Sequence, residues 1–177
     1  EALRKEYARD YISLMPTNLY GPHDNFDLKS SHVLPAMIRK FHEAKENRHS
    51  PVELWGTGTP RREFLHVDDL AQAVLFALEN TLEEHLYNVG TGVDLTIKAL
   101  AELIQSTISH KGYIVWDSDK PDGTPRKLMD LGRVQKKVAE VVVNGAASGA
   151  SGASGATGEE ETKSSGAAAP QLMLSSS

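Results

Sequence analysis

The sequence predicts an α/β fold, and three observations carry that prediction. Short runs rich in β-branched and aromatic residues (10–15, 52–55, 61–67, 86–89 and 113–116) alternate with longer segments of helical periodicity. Gly, Pro and Asn gather where these runs end, as at Pro16, Gly56–Pro60 and Gly90–Gly92. The 177 residues suffice for one domain or for a piece of a larger one.

In chain order, Glu1–Ala8 has helix-forming composition but no capping residue before it. It reads as the end of a helix. The run DYISLM (10–15) reads as a strand that stops at Pro16, and a polar loop follows through Asn18, Gly21, Pro22, Asp24 and Asn25. A loop between a strand and a helix is where open α/β sheets hold ligands. Ser30 or Ser31 can cap a helix whose apolar face is Leu34, Met37, Ile38 and Phe41, with Pro35 in its first turn. His32 then lies at the helix start, as a capping or surface residue or as an acid/base group facing the loop.

Val52–Trp55, GTGTP and Arg61–Val67 read as a hairpin with a longer loop. Asp68 or Asp69 should cap the next helix, with Leu70, Ala73, Val74, Ala77 and Leu78 facing a core. Leu86–Val89 is a strand, and Thr96 caps a helix over Ile97–Ile108 whose inward stripe is Ile97, Leu100, Ala101 and Ile104. After the strand Tyr113–Trp116 comes a charged loop, DSDKPDGTPRK, and from Leu128 a short helical turn. From Asn144 the composition collapses to Gly, Ala and Ser. Such a tail buries too little apolar surface to offset its ordering entropy and is expected to be disordered over 144–177.

Composition excludes several function classes. A net charge of -5 and a pI of about 5.8 leave no broad basic field for nucleic acid or an anionic membrane. There are no cysteines, hence no disulfides or thiolate metal sites, and the seven histidines lack metal-ligand spacing. No apolar run reaches the length of about 20 residues that spans a bilayer. The expectation is a cytoplasmic chain with no metal.

Two features admit chemistry. Arg61 and Arg62 enter a strand after a Gly-rich turn, and a guanidinium fork suits a diphosphate, although an exposed strand edge explains them equally. Trp55 offers a face for stacking, or is simply core.

The runs MPTNLYGPHDNF, WGTGTPRREFLHVDDLA and KPDGTPRKLMD, in that order, resemble the GDP-L-fucose synthase family of extended short-chain dehydrogenase/reductases. The resemblance covers about Glu1 to Arg133, close to the family's C-terminal half. It implies the last strands of a Rossmann-type sheet plus a small α/β substrate-binding domain, together residues 1–143. It implies NADP(H) as cofactor, a GDP-sugar as substrate and a homodimer when complete. The implied activity is 3,5-epimerisation and NADPH-dependent 4-reduction of GDP-4-keto-6-deoxy-D-mannose.

Residue by residue, Pro16, Thr17, Asn18 and Leu19 match the segment that seats the nicotinamide end, and His32 matches the epimerisation histidine, also beside the cofactor. Lys40, Trp55, Arg62 and Asp122 match positions on the GDP-sugar, with Arg126 and Lys127 close by. The family's Gly-rich loop, its Ser/Tyr/Lys reductase centre and the cysteine partner of the histidine have no counterpart here, so this chain alone is expected to be inactive as a reductase. The rival readings are another NDP-sugar epimerase or dehydratase, and a non-catalytic sugar-nucleotide-binding remnant.

Overall fold

The computed structural model describes residues 1–150, with side chains through residue 142. The elements, in order, are α1 (Ala2–Tyr7), β1 (Ser13–Pro16), β2 (Asn18–Tyr20), α2 (Val33–Glu46), β3 (Val52–Trp55), β4 (Arg61–His66) and α3 (Val67–Glu79). They continue with β5 (Leu86–Val89), β6 (Asp94–Thr96), α4 (Ile97–Ile108), β7 (Ile114–Asp117), β8 (Arg126–Lys127) and α5 (Gly132–Ala150). The fold is mixed α/β with parallel strand pairs, of Rossmann type. It divides into two compact units.

The first unit comprises Glu1–Pro16, Asp69–Gly90 and the chain from Asp130. Its sheet is β1 beside β5, parallel, with Ser13 opposite Leu86 and Pro16 opposite Val89. Leu131, Val134 and Val138 are buried at helical spacing, and with Leu82, Tyr87 and Val89 they make a small core. This stripe is why a 19-residue helix stands where the sequence suggested a short helical turn. α5 continues to Ala150, past the expected start of disorder at Asn144, because adding residues to an existing helix is far easier than nucleating one. The rest of the expected tail, 151–177, lies outside the described residues.

The expected core face of α3 is corrected in the same unit. Ala73 is buried, but Val74 and Leu78 are exposed, as is Leu75. Two parallel strands of four residues offer too little surface to cover a 13-residue helix. Nor do Asp68 and Asp69 cap α3. The helix starts at Val67, directly after β4, which puts both carboxylates inside its first turn.

The second unit comprises Thr17–Asp68 and Thr91–Met129. Here β4 is central, with β2 parallel on one side, β6 antiparallel on the other and β8 parallel along its first residues. A separate parallel pair joins β3 to β7. The expected hairpin is therefore wrong. Gly56 and Gly58 at φ 79 and 74 turn the chain, and the turn is fastened to the start of α4, where Lys98 N–H donates to Gly58 O and Ile97 N–H to Pro60 O. The strands it joins are thereby delivered to different sheets.

The core of this unit is Met37, Phe41 and Ala44 of α2, Val52 and Leu54 of β3, and Leu100, Ala101 and Ile104 of α4. These are the apolar phases the periodicity gave. Thr96 caps α4 as expected, its hydroxyl accepting from Ala99 N–H at 3.0 Å. The cap of α2 is His32 rather than Ser30 or Ser31. Asp27 Oδ1 accepts from the Ser30 hydroxyl and from the backbone N–H of Lys29 and Ser30, and this local turn holds the serine away from the helix end.

Candidate functional site

The site is built outward from β4, whose residues alternate between core and surface. Glu63 and Leu65 point inward, while Arg62 and Phe64 are half-buried. In the β4–β8 ladder, Arg61 stands opposite Arg126 and Arg62 opposite Lys127. Four cations are thus brought within two rungs.

Asp94 sorts them. Its side chain is only 4% exposed, and Oδ1 accepts from Arg61 Nε at 2.8 Å while Oδ2 accepts from Arg126 Nε at 2.5 Å. Arg61 Nη2 also donates to Asp94 O at 2.9 Å. The hydrogen bond from Arg126, then that from Arg61, holds the Asp94 carboxyl below the usual carboxylate range. Arg126 is therefore a structural cation. Arg62 is different: its Nη1 donates to the carbonyls of Arg61 and Thr124, both at 2.7 Å, which fixes the plane of the fork. Lys127 is exposed on the opposite strand.

The charged loop closes this arrangement from the β3 side. Asp122 accepts from Thr57 N–H at 2.6 Å with Oδ1 and from the Thr57 hydroxyl at 2.7 Å with Oδ2. The hydroxyl contact, then the backbone one, lowers the Asp122 pKa. The latch works only because Gly56 has no side chain. A Cβ there would lie 2.2 Å from Asp122 Oδ1, and its φ of 79 already disfavours one.

Trp55, just before this turn, is 65% exposed, so it is not a core residue. Lys120 Nζ stands 5.7 Å from its ring centroid. Lys40 of α2 reaches the same strand, donating to Glu53 O at 2.9 Å.

The second unit thus ties Arg62, Lys127, Trp55 and Asp122 together through β4, β8 and the latched loop, with Lys40 of α2 reaching β3 at Glu53 O. His32 is exposed at the start of α2, in extended backbone at φ -71 and ψ 168, and its side chain makes no capping bond. Thr17 Oγ1 and Asn18 Nδ2 both donate to Glu63 O, at 3.2 and 2.8 Å, so their side chains are spent on anchoring β2. Leu19 is half-buried in β2, and Pro16 closes β1 of the first unit. Among the described residues no three His, Asp or Glu side chains are grouped to hold a metal, and no helix is long and apolar enough to cross a membrane.

Sequence reading missed Glu63 and Asp94. Glu63 could have been noticed as a charge at an inward phase of a strand, in step with Leu65 and between Arg62 and Phe64. Asp94 belongs to a three-residue strand with no signal of its own.

Residues 1–90 match the profile of the NAD dependent epimerase/dehydratase family. A probable GDP-L-fucose synthase 1 of Oryza sativa subsp. japonica is 56% identical over 136 residues, 77% of this chain and 42% of the relative. The GDP-L-fucose synthase of Escherichia coli (strain K12) is 52% identical over 146 residues, 77% of this chain and 45% of the relative. A crystal structure of a GDP-L-fucose synthetase from Naegleria fowleri bound to NADP superposes with a TM-score of 0.68 at 30% identity, covering 71% of this chain and 40% of that one. This chain spans under half the length of each. The expected resemblance is thereby shown, and the chain belongs to the NAD dependent epimerase/dehydratase family.

Proposed function

We propose that this chain is the sugar-nucleotide-holding part of a GDP-L-fucose synthase. The observation that supports it most is the sorting of the four cations. Arg61 and Arg126 both spend their charge on one buried carboxylate, whereas Arg62 and Lys127, on the next rung, show no carboxylate partner among the described residues, and Trp55 is exposed at the end of β3. A planar fork, a second cation and an aromatic platform suit a nucleoside diphosphate. Lys40 and Asp122 frame the same surface. Its substrate would be a GDP-linked keto sugar, in the cytoplasm.

Of the cofactor NADP(H), the Pro16–Leu19 segment and His32 would meet only the nicotinamide end. The fit is on the backbone, because Thr17 and Asn18 direct their side chains at Glu63 O and so hold the strand in place. When bound, NADPH supplies hydride to the 4-ketone of the sugar. His32 would remove and return protons at the carbons flanking that ketone, work that suits an imidazole.

Calorimetric titration of the 177-residue chain with GDP tests the reading directly. Saturable binding of GDP is expected, with UDP much weaker. Equal binding of UDP would move the chain to a UDP-sugar member of the family, and binding of neither would end the proposal. The catalytic half of the reading needs a chimera that joins this chain to the part of the Escherichia coli relative outside the match. There, His32→Asn should leave the helix start intact and slow deuterium exchange at the flanking carbons by about two to four orders of magnitude. Unchanged exchange, measured without NADPH, would leave His32 as a helix cap only.

A further inference from the structure

We infer that Glu63 is a positioning residue of this surface, a buried side chain that sets where Arg62 and Lys127 stand. The inference rests on the sugar-nucleotide reading above and deepens it. Glu63 is fully buried, at 0% exposure, and follows Arg62 directly in β4. Its Oε1 accepts from the backbone N–H of Thr91 at 2.6 Å and of Gly92 at 2.7 Å, and from the Thr91 hydroxyl at 3.3 Å. Its Oε2 accepts from Met129 N–H at 3.0 Å. Its own carbonyl takes the Thr17 and Asn18 side chains.

Four segments therefore converge on one residue: β2, β4, the turn at 91–92 that leads into β6, and the chain just after Lys127. Of these, β4 carries Arg62, and the last follows Lys127 directly. The donors are all N–H or O–H groups, so the acceptor has to be acceptor-only, which a carboxylate is and an amide is not. A charge is also a costly thing to bury if the fold alone is served, since an apolar residue fills such a position more easily. What the carboxylate adds is the spacing of the β4–β8 rung. Met129 lies two residues from Lys127, and Lys127 is the register partner of Arg62.

Glu63→Gln turns one acceptor into a donor facing backbone N–H groups. In the 177-residue chain titrated with GDP, it should raise the dissociation constant tenfold or more while circular dichroism shows the chain folded. In an Arg62→Ala/Lys127→Ala background the same change should add less than twofold, because the residues it acts through are gone. A purely structural role lowers melting temperature in both backgrounds and leaves GDP affinity of the folded chain within twofold, and that result overturns the inference.

A ligand-free arm separates this from the sugar-nucleotide reading. In nitrogen-15 spectra, the Arg62 Nε–H and Asn18 side-chain amide signals should move in Glu63→Gln. Unmoved signals overturn the positioning role, whether or not the parent chain binds GDP. If Glu63→Gln fails to fold, Glu63→Asp, which keeps the charge on a shorter arm, is read by the same two measurements with a smaller affinity loss expected.

Discussion

Two adjacent rungs of one ladder carry the same kind of residue and come to different ends. On the Arg61–Arg126 rung both guanidiniums close on Asp94, and the set forms a small ion-paired knot that fastens β4, β6 and β8. On the Arg62–Lys127 rung no carboxylate answers among the described contacts. Arg62 is held by carbonyls, which orient a guanidinium without cancelling its charge. The difference teaches that the count of cations in RREF and TPRK says little. What matters is which of them the fold has already tied to a carboxylate, and a single buried aspartate from a distant strand decides it.

The largest expected effect comes from removing that aspartate. Asp94→Ala leaves Arg61 and Arg126 facing each other without a counter-charge and strips two side chains of their partners. The melting temperature should fall further than for loss of either arginine alone, measured by differential scanning calorimetry. A melting temperature like the parent's would mean that the knot contributes nothing. Acid probes the same contact. Because the folded Asp94 carboxyl is lowered by Arg126 and Arg61, its contribution is present above the unfolded value of about 3.9 and is lost as pH falls through the folded one.

A second group keeps this window distinct. His110 is buried, its ring nitrogens have no partner among the described residues, and burial and then His49 push its pKa down. Its contribution is complete above about pH 6.5 and is lost as pH falls below that. Loss of stability starting near pH 6 thus belongs to His110, and the further loss below about pH 4 to Asp94 together with the other lowered carboxylates, Asp122 among them. Asp94→Ala should shrink only the lower step.

Next in size is the contrast between neighbours. Arg62→Ala should cost about 1.5–3 kcal/mol of GDP binding, a rise in dissociation constant of roughly tenfold or more, with little change in melting temperature. Arg61→Ala should do the reverse. Its side chain is 43% exposed, so solvent screens the ion pair and the stability loss should be modest. Equal effects of the two variants on GDP binding would break the distinction between the rungs.

Much of this was legible in the chain. The helices α2 and α4, the strands β3 and β5 and the Thr96 cap follow from periodicity, breakers and capping chemistry, all of which are local. The site residues came from motif resemblance, and the structure ties Trp55, Arg62, Asp122 and Lys127 together within the second unit. Partner choice was not legible. The hairpin failed because β3 and β4 pair with β7 and β8, at 62 and 65 residues' separation for Val52–Ile114 and Arg61–Arg126, and nothing near Gly56–Pro60 encodes that. Short strands such as β2, β6 and β8 exist only by virtue of β4 beside them. Asp94 and Glu63 share that difficulty, since a buried carboxylate is identified by the donors that reach it from elsewhere.

Lys127 should give the smallest effect, and it tests whether charge or geometry makes the second rung. It is exposed, and a lysine acts on a phosphate as a point charge rather than a fixed fork. An exposed pair of that kind is worth about 0.2–1 kcal/mol, so Lys127→Gln should raise the GDP dissociation constant by a few-fold at low salt. At about 1 M salt the screening length shrinks to about 3 Å, and the difference between Lys127→Gln and the parent should vanish. The Arg62→Ala deficit should persist there, because hydrogen bonds from an oriented guanidinium are not screened away in the same manner. Two deficits that fade together with salt would show that Arg62 is only a second point charge, and that the carbonyls of Arg61 and Thr124 hold its plane to no purpose in binding.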